Sequence, residues 1–281
     1  MHNAAIAALG LDWRYLAFDV RPEELRQAVA GAQVMRFIGL NLTLPHKLLA
    51  VDMMDELDES AREWGAVNTI RFEARKADGD WVPLAQLPPQ EAAEIRRRGF
   101  NTDADALVRA LQEDLACNFR GATVLVLGAG GAGRVAALRL AAEQVKRLFL
   151  VNRTPEKAKT VGAEIERRFP AVQVRVGYPD AAVDLIVNAT SLGLRETDPV
   201  PMDERQFQLR KAGAVFDMIY QPAETPLLQA AKAAGCRVAN GLGMLLYQGA
   251  RALELWVGQA VPVHVMRKAL EEQIYGSRQS R

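Results

Sequence analysis

The most constraining feature of the sequence is a glycine-rich turn between two apolar runs. Residues 123–127 lead into Gly128, an Ala- and Leu-rich segment follows the glycines, and a second apolar run occupies 147–151. This order predicts a strand, a helix and a second strand, that is, a βαβ unit. Within it Gly128, Gly130 and Gly133 match the dinucleotide-binding fingerprint, in which the first glycine permits a tight turn, the second admits a pyrophosphate and the third lets the helix pack on the strand.

The whole turn is predicted to bind the cofactor, because backbone N–H groups at the start of a helix face a phosphate. The predicted contacts are Gly128, Ala129, Gly130, Gly131, Ala132 and Gly133. A glycine-rich turn without a ligand is the alternative interpretation.

The end of the second strand indicates which dinucleotide binds. An NAD site commonly has Asp or Glu there, about 20 residues past the glycines, to hold the ribose 2′-hydroxyl. This chain has Asn152, Arg153 and Thr154 at that place, with Lys157 close behind. A guanidinium and a hydroxyl suit a 2′-phosphate, so the sequence predicts NADP. In the alternative interpretation, Arg153 and Lys157 are only the solvated first turn of a surface helix.

Composition argues against several other classes of function. With 49% hydrophobic residues, 25% charged residues and a net charge of +1, the 281-residue chain gives no electrostatic reason to expect nucleic acid or a membrane as partner. The two cysteines and three histidines show no ligand spacing, so neither disulfides nor a metal site is predicted. There is no signal-peptide pattern and no apolar run of about 18 residues, which favours a cytoplasmic protein.

Hydrophobic periodicity predicts α/β structure on both sides of the glycine turn. Before it, we expect helices over 3–10, from Pro22 onward, over 48–64 and over 104–114, and strands over 13–20 and 37–44. After it, we expect helices over 158–169, 225–234, 244–256 and 262–275, and strands over 172–176, 183–188, 214–220 and 235–239. Residues 277–281 are expected to form a frayed tail.

Three polar clusters lie next to strand-like runs in the first part of the chain, where the loops of an α/β sheet commonly carry function. They occupy 41–47, 65–69 and 99–103 and contain Lys47, Asn68 and Asp103. Each of these residues also has a plain interpretation, as a surface lysine at a helix start, a turn residue and a helix N-cap. From the residues alone, both interpretations stay open.

A set of motifs resembles those of the shikimate dehydrogenase family, in the family's order and over nearly the whole chain. The motifs are residues 1–5, 41–47, 65–69, 101–103, 128–133, 152–154, 188–193, 217–222 with 225–228, and 240–248. The resemblance implies NADPH-dependent, reversible reduction of the ring ketone of 3-dehydroshikimate to shikimate, a step in making aromatic amino-acid precursors. It also implies a protein that is a monomer or a homodimer.

The same resemblance implies a fold of two α/β domains. One is a Rossmann domain that binds NADP, predicted at 104–243. The other is a discontinuous substrate-binding domain with a mostly parallel sheet, predicted at 1–103 plus 244–281.

By this resemblance Lys47 and Asp103 are the catalytic pair. Hydride arriving at a carbonyl carbon leaves an alkoxide, which needs a proton and a nearby positive charge, and an ammonium group supplies both. A carboxylate within about 4 Å would hold that ammonium in place. The resemblance also implies that ring hydroxyls bind at Thr43, Asn68 and Gln248, with Tyr220 nearby, and that the cofactor meets Thr190, Met218 and Gly241.

The chain departs from the family in three places. The family's Ser-x-Ser strand, which holds the substrate carboxylate, would precede Met1, so we expect about 15 to 25 further residues in the natural protein. Residues 72–98 replace a short turn, and we expect a polar extension whose run 96–98 is a solvated arginine face. Ala104 stands where glycine is usual. These departures leave two alternatives: an enzyme acting on quinate or another cyclic polyol acid, and an NADP-binding protein without catalysis.

Overall fold

The chain divides into two compact units in the computed structural model, which describes residues 1–88, 91–92 and 94–276. The first unit contains Met1–Asp103 and Leu246–Arg281, and the second contains Ala104–Leu245. The tail expected at 277–281 lies outside the described residues. The predicted assignment of one domain to substrate and the other to NADP stays a prediction.

Helices and strands are interspersed along the described chain. The α-helices are α1 (His2–Ala8), α2 (Leu25–Val34), α3 (His46–Leu49), α4 (Glu59–Trp64), α5 (Asp103–Leu115), α6 (Gly131–Ala142), α7 (Pro155–Arg168), α8 (Pro226–Ala233), α9 (Leu242–Val257) and α10 (Val263–Tyr275). The strands are β1 (Gly39–Asn41), β2 (Glu56–Leu57), β3 (Thr69–Arg75), β4 (Trp81–Pro83), β5 (Ile95–Phe100), β6 (Thr123–Leu127), β7 (Arg147–Val151), β8 (Gln173–Val176), β9 (Val183–Asn188), β10 (Ala212–Asp217) and β11 (Arg237–Asn240). Within the described ranges, every helix is too short or too polar to span a bilayer.

The second unit is built on a parallel sheet with the strand order β11-β10-β9-β6-β7-β8. Strand β6 is buried along its whole length, as expected where a parallel sheet is covered on both faces. This is the strand order of the dinucleotide-binding fold, and the direction of winding reverses between β6 and β9. The predicted α/β class with a Rossmann unit is therefore confirmed.

The first unit contains a mixed sheet with the order β1-β3-β5-β2, and β4 also pairs with β3. Among the described strands, β2 and β5 pair in parallel, whereas β3 pairs antiparallel with each of its neighbours. The sheet is thus mixed rather than mostly parallel, because the segment after β3 turns back beside it. One face of β3, formed by Ile70, Phe72 and Ala74, packs into a core that includes Leu25 and Val29 of α2.

Residues 13–20, predicted as a strand, form no strand. The backbone N–H of Tyr15 donates to the Asn3 side-chain oxygen at 2.7 Å, and the Asn3 amide donates to the Tyr15 carbonyl at 3.0 Å. A single side chain therefore takes the place of a neighbouring strand, and no described strand pairs with this segment. Aromatic and aliphatic composition favours a strand, but only a backbone partner makes one.

The helix predicted over 48–64 is broken, because α3 ends at Leu49 and α4 begins at Glu59. Acidic side chains hold the intervening segment in a different path. Asp55 accepts a hydrogen bond from the Arg97 backbone N–H at 2.7 Å, and Asp58 caps α4 by accepting from Ser60 N–H at 3.1 Å. The other predicted elements are present with shifted ends.

The arginine run 96–98 is not a solvated face. It lies in β5, opposite β3, whose Glu73 carboxylate is almost fully buried and accepts hydrogen bonds from Arg71 and Arg96. A buried carboxylate is tolerated when cations and donors surround it, and Arg96 reaches this one across the β3–β5 pair. The remaining arginines of the run form ion pairs with carboxylates of the segment between α3 and α4: Arg97 with Asp55 and Arg98 with Asp58.

Candidate active site

The Lys47 ammonium lies 2.8 Å from a carboxylate oxygen of Asp103 (Nζ–Oδ2). Lys47 is in α3 and Asp103 begins α5, so two helix starts 56 residues apart in sequence supply the pair. The side chains are 25% and 14% exposed, respectively. The pair is therefore partly shielded from solvent but open to a ligand.

Asn101 holds the backbone of Asp103. Its side-chain oxygen accepts from the Asp103 N–H at 3.0 Å, and its Nδ2 donates to the Ala66 carbonyl at 3.1 Å. Asn101 is itself buried, and its N–H donates to the Ser60 hydroxyl at 3.1 Å. Sequence reasoning placed Asn101 in a motif but gave it no role of its own. The signal was the short spacing of two polar residues, Asn101 and Asp103, at a helix start.

The three polar clusters of the first unit lie next to one another. The Val67 N–H donates to the Lys47 carbonyl at 2.8 Å, the Leu42 N–H donates to the Asn68 carbonyl at 2.8 Å, and the Asn68 N–H donates to the Phe100 carbonyl at 3.0 Å. Backbone hydrogen bonds thus bring 41–47, 65–69 and 99–103 together at one end of the sheet.

Asn68, a predicted substrate contact, is 1% exposed. Its Nδ2 donates to the Thr102 hydroxyl at 3.0 Å, and its side-chain oxygen accepts from the Thr102 N–H at 2.9 Å. The Thr102 hydroxyl also reaches the Gln248 carbonyl of α9 at 3.0 Å. Of the other predicted substrate contacts, Thr43 is exposed in the first unit, and Tyr220 is half-buried in the second.

The structure explains differently why glycine stands at each position of the turn after β6. Gly128 has φ +102°, which favours glycine, and a Cβ on Gly133 would lie 2.1 Å from the Gly128 carbonyl oxygen. Gly130 has φ −76° and ψ −170°, and a Cβ there would meet nothing within 4 Å. The protein itself therefore does not require glycine at 130. Open space at the N-terminus of α6 is what a bound pyrophosphate needs, so the turn fits a dinucleotide.

Asn152 connects the glycine turn to the segment after β7. Its side-chain oxygen accepts from the Ala129 N–H at 2.9 Å, and its Nδ2 donates to the Thr154 carbonyl at 2.8 Å. Arg153, Thr154 and Lys157 are exposed. Among the residues that the structure describes, Arg153 and Lys157 have no acidic partner. Two uncompensated cations thus lie after β7, at the place where the sequence predicts a 2′-phosphate.

A buried carboxylate organises the same edge of this sheet. Asp217, the last residue of β10, accepts from the Thr225 hydroxyl at 2.7 Å, the Ile219 N–H at 3.1 Å and the Asn188 Nδ2 at 3.0 Å. Burial raises the pKa of Asp217. The Asn188 oxygen in turn accepts from the Thr190 N–H at 3.0 Å and hydroxyl at 2.8 Å. Asp217 therefore acts through Asn188 on a predicted cofactor contact, a role that the sequence analysis missed.

The predicted cofactor contacts Thr190, Met218 and Gly241 lie together at the carboxyl ends of β9, β10 and β11. The Met218 N–H donates to the Asn188 carbonyl at 3.0 Å, and a Cβ on Gly241 would lie 2.1 Å from the Met218 carbonyl oxygen. Gly128 is at the same edge, since a Cβ there would lie 2.9 Å from the Ala189 carbonyl oxygen. The signal that sequence reasoning overlooked is that these strands end in register on polar residues: Asn188, Asp217 and Asn240.

Comparison with known proteins gives the family. Residues 1–70 match the shikimate dehydrogenase substrate binding domain, 110–193 match shikimate / quinate 5-dehydrogenase, and 241–271 match the shikimate 5′-dehydrogenase C-terminal domain. The shikimate dehydrogenase (NADP(+)) of Methanopyrus kandleri is 38% identical over 98% of this chain and 90% of that protein. The chain belongs to the shikimate dehydrogenase family. The prediction of an oxidoreductase of this family is confirmed.

Two solved structures show the range of the resemblance. Shikimate dehydrogenase from Thermus thermophilus, in complex with NADP(H) and shikimate, is 33% identical with a TM-score of 0.77, covering 96% of this chain and 92% of that one. The ligand-free 5-ketofructose reductase of a Gluconobacter strain is 32% identical with a TM-score of 0.77, covering 96% of this chain and 91% of that one. Solved structures similar to this chain therefore include a reductase that is named for a different ketone, 5-ketofructose.

Proposed function

We propose that this chain catalyses the reversible, NADP-dependent reduction of 3-dehydroshikimate to shikimate, with Lys47 and Asp103 as the acid–base pair. The observation that carries the proposal is the partly buried 2.8 Å contact between these two side chains in a member of the shikimate dehydrogenase family. Relatives named shikimate dehydrogenase (NADP(+)), and the Thermus thermophilus complex with NADP(H) and shikimate, support the choice of cofactor and substrate.

The residues of the second unit suit NADP. N–H groups of Gly130, Gly131 and Ala132, at the start of α6, would hold the pyrophosphate, and Arg153 with Thr154 would hold the 2′-phosphate. NADPH, when bound, supplies the hydride. We assign Thr190, Met218 and Gly241 as further cofactor contacts because they lie at the same sheet edge as the glycine turn. A metal has no part in the proposal, and the described residues gather no cluster of three or more His, Cys, Asp or Glu side chains that could hold one.

Lys47 would stabilise and then protonate the oxygen of the reacting carbonyl. As hydride reaches the carbonyl carbon, negative charge develops on the oxygen, and a positioned ammonium both stabilises that charge and donates the proton. In the oxidation direction, Lys47 in its neutral form would take the proton from the substrate hydroxyl. Asp103 would keep Nζ in place through both directions, because its carboxylate oxygen is already 2.8 Å away.

Thr43, Asn68 and Gln248, with Tyr220, are proposed to bind the hydroxyls of the substrate. Such polar contacts give strong discrimination, since a ligand without the matching hydroxyl leaves a donor or acceptor of the site unpaired. Thr43 and Lys47 belong to one turn, in which the His46 N–H donates to the Thr43 carbonyl at 2.8 Å. A ring hydroxyl at Thr43 would therefore be close to the reacting oxygen.

A second candidate is the reduction of a different polyhydroxylated ketone. It is supported by the similarity to 5-ketofructose reductase, which matches the fold with the same TM-score as the Thermus thermophilus shikimate dehydrogenase. The Lys47 and Asp103 pair would serve either ketone in the same way. The two candidates differ in the hydroxyls that the substrate offers and in its carboxylate, which shikimate has and 5-ketofructose lacks.

Steady-state assays would test the proposal. Oxidation of shikimate and of quinate is measured with NADP⁺ and with NAD⁺, and reduction of 5-ketofructose is measured with NADPH. We expect the highest kcat/KM for shikimate with NADP⁺. A higher kcat/KM for quinate or 5-ketofructose would show that shikimate is not the preferred substrate. A preference for NAD⁺ would show that NADP⁺ is not the preferred cofactor. Turnover of none of them would refute the proposed reaction.

A further inference from the structure

A series of hydrogen-bonded side chains leads through the first unit to Asn68. The Tyr15 hydroxyl donates to the Asn41 side-chain oxygen at 3.0 Å, and Asn41 Nδ2 donates to the Thr69 hydroxyl at 3.0 Å. The Thr69 hydroxyl donates to the Asn68 side-chain oxygen at 3.1 Å. We call Tyr15, Asn41, Thr69 and Asn68, together with Thr102, the polar chain.

The far end of the polar chain fixes the direction of its hydrogen bonds. The Thr102 hydroxyl lies 3.0 Å from the Gln248 carbonyl, which is only an acceptor, and 3.3 Å from the Asn68 side-chain oxygen, so its hydrogen goes to the nearer Gln248 carbonyl. That hydroxyl has a single hydrogen and therefore accepts from Asn68 Nδ2, at 3.0 Å. The Thr102 N–H is only a donor and lies 2.9 Å from the other end of the Asn68 amide, so that end must be the oxygen.

The donors and acceptors of the Asn68 amide can now be counted. Within the described part of the chain, its oxygen accepts from the Thr69 hydroxyl and the Thr102 N–H, which fills both lone pairs, and one of the two Nδ2 hydrogens goes to Thr102. One N–H is left. Thr69, Asn68 and Thr102 are at most 3% exposed, so a ligand that reached this amide would meet a donor and no acceptor.

The polar chain is built to stay in one arrangement. Its central members are buried, where an unpaired polar group is costly, so each link holds the next in place. Burial raises the pKa of Tyr15, which keeps the hydroxyl protonated as the first donor. The Tyr15 ring stacks on His2 with 4.1 Å between ring centroids. The first donor of the chain is thus fixed by packing.

The polar chain also passes beside the proposed acid–base pair. The residue before Asn68, Val67, donates its N–H to the Lys47 carbonyl at 2.8 Å, and Thr102 immediately precedes Asp103. We infer that Tyr15, Asn41 and Thr69 are positioning residues that orient the Asn68 amide so that its remaining N–H donates to a substrate oxygen. This inference rests on the proposed function, and it assigns to Asn68 the recognition of an acceptor oxygen, as in a hydroxyl or ketone.

The test compares variants of Thr69, because its hydroxyl links Asn41 to Asn68. Thr69→Val keeps the shape and removes the hydroxyl, and Thr69→Ser keeps the hydroxyl. We expect Thr69→Val to raise the KM for shikimate about three- to tenfold, the effect of one hydrogen bond, with the KM for NADP⁺ unchanged. Thr69→Ser should stay close to wild type. Thr123→Val is the matched control, since Thr123 is a buried threonine of β6 in the second unit.

A second variant protects the test if Thr69→Val folds poorly. Tyr15→Phe, at the partly exposed start of the polar chain, should raise the KM for shikimate in the same direction by a smaller factor. Combining Tyr15→Phe with Thr69→Val should cost less than the product of the two effects, because both break one linked network. A merely structural network would lower the melting temperature and leave the KM for shikimate alone.

Two outcomes would overturn the inference: an unchanged KM for shikimate in both variants, or an equal rise in the KM for NADP⁺. Failure of the proposed function looks different, because the wild-type chain would then not oxidise shikimate at all. In that case the inference falls with the reaction on which it rests. With an active wild-type enzyme, the ratio of variant to wild-type KM tests the polar chain alone.

Discussion

Gly133 faces Gly128 so closely that a Cβ on Gly133 would lie 2.1 Å from the Gly128 carbonyl oxygen. Real atoms cannot approach so closely, so α6 can begin beside the end of β6 only with glycine at 133. Gly130, three residues earlier, meets no such constraint. One fingerprint therefore combines a glycine that the fold needs with a glycine whose open space suits a ligand.

We predict opposite effects from alanine at these two positions. Gly133→Ala should destabilise the protein by about 1 to 3 kcal/mol through overpacking, partly offset by the better helix propensity of alanine. Gly130→Ala should change stability by less than about 1 kcal/mol. It should raise the KM for NADP⁺ about tenfold or more, because the methyl group would occupy the space of the pyrophosphate.

Thermal unfolding and NADP⁺ titration of the two variants check this contrast, with each variant as the control for the other. A Gly130→Ala enzyme with normal NADP⁺ affinity would argue against the turn as the phosphate site. A Gly133→Ala protein as stable as wild type would mean that α6 shifts to accommodate the methyl group.

The second unit could be predicted from sequence in some detail, because its information is local. Apolar runs at 123–127 and 183–188 are strands of a covered parallel sheet, where burial on both faces leaves few alternatives. Glycine spacing then identifies the first βαβ unit. The role of Asp217 was not visible, since its partners Asn188 and Thr225 come from separate parts of the chain.

The first unit was predicted less well, because its structure depends on partners distant in sequence. Residues 13–20 have the composition of a strand, yet their backbone bonds to Asn3. The run 96–98 has the composition of a solvated face, yet Arg96 and Arg98 of this run form ion pairs with the buried Glu73. The contact of Lys47 with Asp103 was expected from family resemblance; spacing alone left both residues with plain interpretations.

Arg153 should determine the choice of cofactor. Because its guanidinium is exposed and has no acidic partner within the described residues, Arg153→Ala should raise the KM for NADP⁺ at least tenfold, about 1.4 kcal/mol, with little change for NAD⁺. Lys159→Ala is the control, since Lys159 is an exposed cation of α7, the helix that follows Arg153, and lies near Glu156. Initial-rate kinetics with both cofactors provides the measurement. An equal rise in the KM for NADP⁺ and for NAD⁺ would show that Arg153 does not bind the 2′-phosphate.

Lys47→Ala should lower kcat about 100-fold or more, the scale on which general acid–base groups act, and leave NADP⁺ affinity nearly intact. Asp103→Asn should also lose activity, and the double variant should cost less than the product of the single effects, because the two side chains act as a unit. Lys76→Ala is the matched control: Lys76 forms a similar 2.7 Å pair with Asp78, but on an exposed turn. Single-turnover rates would show the loss in the chemical step. A Lys47→Ala enzyme with near-normal kcat would disprove the assignment.

His2 should make the stability of the protein depend on pH. Burial lowers the pKa of His2 to about 4, from a usual value of 6.5, and its ring bonds to the Gly249 carbonyl at 3.1 Å. Between these values the unfolded chain binds a proton more readily than the folded one. The stability that neutral His2 contributes is therefore present above pH 6.5 and is lost as the pH falls through about 4, by about 3 kcal/mol in total.

His2→Gln keeps a donor for the Gly249 carbonyl but cannot titrate, so its free energy of unfolding should fall less between neutral pH and about pH 4. Urea titrations at both pH values measure the difference, with His264→Gln at an exposed position as the control. If His2→Gln loses as much stability on acidification as wild type, other groups must bind the protons.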